Sequence, residues 1–144
     1  MTDSAQLTLA QAEFKDNSCP NGWNGGAILL QQSSTLTVTG GMVVEGNSCR
    51  QSGGGMQVTD QGRFIVAANA QVTFNLNYAV NDGGALMLSV GGTAQFGAGS
   101  TATFRFDTAD GNGGAVYMTN TASMVLSKAS IGRNSAILRG GALG

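Results

Sequence analysis

The sequence predicts an all-β fold, a three-sided, right-handed parallel β-helix with one rung per repeat. Three observations predict it. A motif typified by Phe74-Asn-Leu-Asn77 and, after a short loop, Gly83-Gly84-Ala85-Leu86 recurs five times, with its first glycine at Gly25, Gly53, Gly83, Gly113 and Gly140. The steps between those glycines are 28, 30, 30 and 27 residues. Between copies, apolar residues alternate over short stretches such as Val72-Thr-Phe74 and Met124-Val-Leu126, the period of a half-buried strand. Charged residues make up only 10% of the chain and glycines number 23, with few runs of strong helix formers. One strand-and-turn unit cannot bury its own apolar face, whereas stacked units can.

The columns follow from aligning the copies on the glycine pair. Phe14, Val44, Phe74, Phe104 and Ile131 come first and belong inside. Three places later stand Asn17, Asn47, Asn77, Asp107 and Asn134, a turn position where stacked amides pass hydrogen bonds along the stack and tolerate a left-handed backbone. Asp107 is the exception in this ladder: an ionised carboxylate accepts hydrogen bonds and donates none. The glycine pair fits a sharp corner with positive φ. After it, Ile28, Met56, Leu86 and Val116 point inward on the first side, with Leu30, Val58, Leu88 and Met118 two places on. Leu36, Phe64, Ala94 and Met124 continue on the second side, beside Val38, Val66, Phe96 and Leu126. With about 30 residues per rung the chain holds roughly 4.5 rungs. Residues 1–144 read as a single β-helix domain, an uncapped segment of a longer solenoid, with Leu7-Thr-Leu9 as the second side of an earlier rung. Its open ends invite protein partners or further rungs of the same solenoid.

At this point the paired motif, Phe-x-x-Asn followed by Gly-Gly-Ala-(Ile/Leu/Val), resembles the repeats of the chlamydial polymorphic outer-membrane proteins and related autotransporter adhesin passengers. Similar repeats occur in large surface proteins of algae and other eukaryotic microbes. The resemblance runs from Leu7 to Leu143; Val44 and Ile131 depart from the Phe, Gly55 from the Ala and Asp107 from the Asn. It implies a β-helix displayed outside the cell, extracellular or at the cell surface within a longer precursor, and serving adhesion or architecture. A scaffold subunit inside a large intracellular or organellar assembly is the alternative, and a polysaccharide-active enzyme the third.

Composition and motifs narrow the chemistry. Seven Lys and Arg scattered over 144 residues, with a net charge of -1, give no nucleic-acid groove. No apolar run approaches the ~20 residues of a membrane-spanning helix, so membrane insertion by this segment is not expected. Without histidine there is no conventional triad, and two cysteines make no thiolate zinc site. The acids Asp3, Glu13, Asp16, Glu45, Asp60, Asp82, Asp107 and Asp110 form no outward column, and Lys15 over Glu45 reads as a surface ion pair. Asp107-Thr-Ala-Asp110-Gly-Asn112 lacks the alternating acids of a calcium loop. No enzyme, cofactor or metal is expected.

Three features remain. Cys19 and Cys49 share a column on adjacent rungs, close enough for a disulfide, although Ala79, Ala109 and Ala136 in the same column fit equally well with two small buried side chains. Leu29, Gln57, Met87 and Tyr117 form an outward column on the first side, a candidate interaction face for cell-surface or matrix ligands. Trp23, on the insertion Pro20 to Trp23 in the first rung, extends that face.

Overall fold

The computed structural model describes all 144 residues, and it is a parallel β-helix of about four turns. Every strand pair is parallel, and partners lie one repeat apart, as in Leu86 with Met56 and Val116. The first side stacks Ile28–Leu30, Met56–Val58, Leu86–Leu88 and Val116–Met118. The second and third sides belong to one eight-stranded sheet, because two early strands, Gln6–Lys15 and Thr35–Glu45, run unbroken through both. Later turns split that run into separate strands, Arg63–Val66 and Gln71–Asn75 being the first such pair. The expected earlier rung is present, with Leu7 against Leu36 and Leu9 against Val38.

A fourth side, itself a very short third sheet, lies beyond the three expected sides. It is made of the two-residue strands Ser18–Cys19, Ser48–Cys49, Tyr78–Ala79, Thr108–Ala109 and Ser135–Ala136. Two residues between a turn and a glycine corner carry no readable periodicity, so the alternation of the sequence could not reveal them.

The core is the set of inward columns. Leu30, Leu36, Met56, Phe64, Phe74, Leu86 and Phe104 are fully buried. Volume is exchanged between neighbouring columns: Ala94 stacks under Phe64, and the space it leaves is balanced by Phe96 stacking on Val66. Phe64 and Phe96 meet edge to face with centroids 5.8 Å apart, while Phe74 and Phe104 stack in parallel at 5.0 Å. Both arrangements add to area burial.

The glycine pair divides its work. The first glycine of each copy has φ between 62 and 71°. The second has ordinary φ but sits where backbones nearly touch: a Cβ on Gly84 would strike the carbonyl oxygen of Gly114 and the backbone of Thr108. The ladder corner differs from expectation. Its left-handed residue is not the Asn but the outward residue before it, namely Asp16, Gly46, Leu76, Phe106 and Arg133, with φ of 54, 64, 56, 55 and 57°. That conformation costs a non-glycine residue roughly 1–2 kcal/mol, and it turns the next side chain inward.

Glycine positions therefore differ sharply in tolerance. Gly84→Ala is expected to lower unfolding free energy by roughly 3 kcal/mol through overpacking. Gly132→Ala, where a Cβ meets nothing within 4 Å, should leave it within about 0.5 kcal/mol. Chemical denaturation of the two variants checks both values.

Candidate functional site

The ladder forms as a continuous hydrogen-bonded column. Asn17 donates from its backbone N and its Nδ2 to Asn47 Oδ1, at 2.9 Å each. Asn47 donates in the same way to Asn77 at 3.1 and 3.0 Å, and Asn77 to Asp107 Oδ1 at 2.9 Å twice. Asp107 passes on only its backbone N–H, to Asn134 Oδ1 at 2.9 Å. Each other interior amide spends its remaining Nδ2 hydrogen on a carbonyl of the previous turn: Asn47 on Phe14, Asn77 on Val44, Asn134 on Phe104.

Asp107 Oδ2 is buried without a partner, and burial pushes this carboxyl up from 3.8 to about 7, against the opposing pull of the Asn77 hydrogen bonds. The register of the ladder places that oxygen where its neighbours carry Nδ2. A proton there restores a donor.

The cysteine column is bridged. Cys19 and Cys49 form a disulfide between in-register residues whose Cα atoms are 4.8 Å apart. The bridge borders the one insertion of the repeat, with Trp23 O 3.2 and 3.1 Å from the two sulfurs. Trp23 itself is 64% exposed. Beside the bridge lies an open groove of about 720 Å³, lined among others by Pro20, Arg50, Tyr78 and Val80. Tyr78 OH donates to Asp110 Oδ2 at 2.5 Å, which fixes the ring and raises the phenol above its ordinary value, the hydrogen bond being the largest cause. Sequence reasoning missed Tyr78. Its signal was an aromatic residue in a column otherwise occupied by Ser18, Ser48, Thr108 and Ser135.

The proposed first-side face requires correction. Leu29, Gln57, Met87 and Tyr117 are indeed in register, but Met87 is 7% and Gln57 8% exposed, and Leu29 and Tyr117 are only half-exposed. The backbone running into each glycine corner folds against this strand, so that Cβ atoms on Gly83 and Gly113 would reach Met87 Cα and Tyr117 Cβ. Strand alternation identifies the side a residue points to; it does not reveal a loop laid over that side. Large exposed apolar residues lie elsewhere, at Leu7, Trp23, Leu76, Tyr78, Val80, Val90 and Phe106 and on the last turn at Val125, Ile137, Leu138 and Leu143.

Charged groups are sparse and mostly apart. Lys15 pairs with Glu13 at 3.2 Å and with Glu45 at 3.5 Å, the latter being the cross-rung pair read from the sequence. Both pairs are solvent-exposed. No three acids or cysteines converge as a metal-binding group would. Comparison of the chain with protein-family models, curated proteins and solved structures returned no match.

Two outcomes are expected from these sites. Because the folded carboxyl holds its proton up to about pH 7 while the unfolded chain releases it near 3.8, the contribution of Asp107 to stability should be most favourable below pH 4 and fall as pH rises toward 7. Asp107→Asn should remove that loss, adding roughly 2–4 kcal/mol at pH 8 and little at pH 4, measured by urea unfolding at both values. Replacing Cys19 and Cys49 together by Ser should cost about 3–4 kcal/mol, the chain-entropy value for a loop of this length. Reduced native protein should unfold at the same denaturant concentration as that variant.

Proposed function

We propose that this chain is a non-enzymatic structural and interaction module, a segment of an adhesin-like or architectural β-helix displayed at the cell surface. The observation that carries the reading is the Cys19–Cys49 bridge, which ties two turns together beside the exposed Trp23 loop. Inter-turn disulfides persist in oxidising, extracytoplasmic surroundings. The resemblance of the repeat to polymorphic outer-membrane protein repeats supports the same reading. So does the fate of the motif residues: Phe, Asn, Gly-Gly and the following apolar residue are taken up by core, ladder, corner and core again.

The working parts are then those that do not repeat, the Pro20 to Trp23 insertion and the neighbouring Tyr78 and Val80. The apolar residues of the last turn suit further rungs of the same solenoid or a protein partner of similar shape. A scaffold role inside a larger intracellular assembly is the competing reading. Antibodies raised against the folded chain distinguish the two on intact source cells: surface labelling without permeabilisation is expected, and labelling only after permeabilisation would replace this reading by the scaffold.

A further inference from the structure

The outward columns at the ladder corner have a property that the stacking does not require. Along the stack, the left-handed column reads Asp16, Gly46, Leu76, Phe106, Arg133. The adjacent strand column reads Lys15, Glu45, Asn75, Arg105, Gly132, each residue in register with the next. Read in the opposite direction, each column complements itself. Asp16 meets Arg133, the small Gly46 meets the large Phe106, and Leu76 meets Leu76; Glu45 meets Arg105, and Asn75 meets Asn75.

From this self-complementarity we infer that this corner is a docking surface for a second copy of the chain, packed antiparallel about a two-fold axis at the level of Leu76. A two-fold axis lying in the plane of the face and perpendicular to the stack reverses each column while keeping it opposite itself, and the spacing matches because both copies share one rung repeat. Charge divides accordingly. The early end carries Glu13, Asp16 and Glu45 around the single Lys15, whereas the late end presents Arg105, Lys128 and Arg133, its outward acid Asp110 lying on the next side and taken up by Tyr78. Both ion pairs of the chain belong to Lys15, so these late cations have no acidic partner within the chain. Arg133 lies 5.5 Å from the ring centroid of Phe106, and the two border a notch of about 280 Å³ at Gly132. In the antiparallel pairing Glu45 and Asp16 of the second copy come opposite the Arg105 and Arg133 that line this notch.

The apolar residues bear on the same conclusion. Leu76 and Phe106 are 56% and 42% exposed, at a left-handed position where Gly46 is accommodated without strain. Bulky apolar side chains there cost the lone molecule conformational energy and hydration, and a facing copy covers them. The five-turn stripe is about 20 Å long, which places the contact at the small end of protein interfaces and its affinity in the micromolar range or weaker.

Sedimentation equilibrium of the intact chain, from low micromolar to several hundred micromolar, tests the inference. The expected mass rises to twice the monomer and stops, with association weakening as salt is raised. Glu45→Arg and Arg105→Glu should each weaken association about tenfold or more, and the double variant should recover to within roughly threefold of wild type. Leu76→Gly relieves the left-handed strain, so it should keep the melting temperature at or above wild type while weakening the dimer at least about fivefold. A monomer throughout, a charge-swapped pair that fails to recover, or mass growing past two copies by end-to-end stacking would each overturn the proposal.

Discussion

Each turn must present the same hydrogen-bonding edge to its neighbour at the same place, and the second glycine of each copy is where this constraint is tightest. At Gly26, Gly54, Gly84 and Gly114, carbonyl oxygens of the adjoining turn occupy the space a Cβ would need. The backbone can therefore approach as closely as the ladder and the first side require. With that contact fixed, inward residues must repeat in register, and core volumes can be traded only between adjacent columns, as Phe64, Ala94, Val66 and Phe96 do.

Much of this architecture could be read from the chain because its signals are periodic. The glycine pair, the ladder column and the inward apolar columns recur at nearly fixed steps, and the in-register pairing of Cys19 with Cys49 follows from the same step. What escaped has a common cause: it depends on features of one or two residues. The sheet of two-residue strands is too brief to alternate. The covered state of Met87 and Gln57 arises from a loop crossing over the strand. The left-handed residue is displaced by one from the Asn that marks the corner, so Leu76 and Phe106 look in sequence like ordinary alternation rather than exposed apolar residues.

The candidate surfaces share a logic with the core. A solenoid that uses its repeating residues to build itself has only departures from repetition with which to distinguish one face from another. Trp23 enters through an insertion, Tyr78 through an aromatic in a hydroxyl column, and the corner columns through a change of charge from one end to the other. Asp107 is a departure of another kind: it introduces a titrating group into a column of neutral amides and makes the middle of the stack responsive to pH.

The bridge between the first two turns gives the molecule mechanical polarity. Without a crosslink, a solenoid under tension can peel from either end, one turn at a time. Here a pull at Met1 can strip the edge strand Gln6–Lys15, but it loads the Cys19–Cys49 staple before residues 20–48 can be drawn out, so the intervening loop is withheld from extension. Tension from the other side first meets a turn whose strands Ser123–Val125 and Lys128–Gly132 are edge strands with half-exposed or exposed side chains. Whichever side yields first, the loop carrying Trp23 stays tied between the two bridged turns.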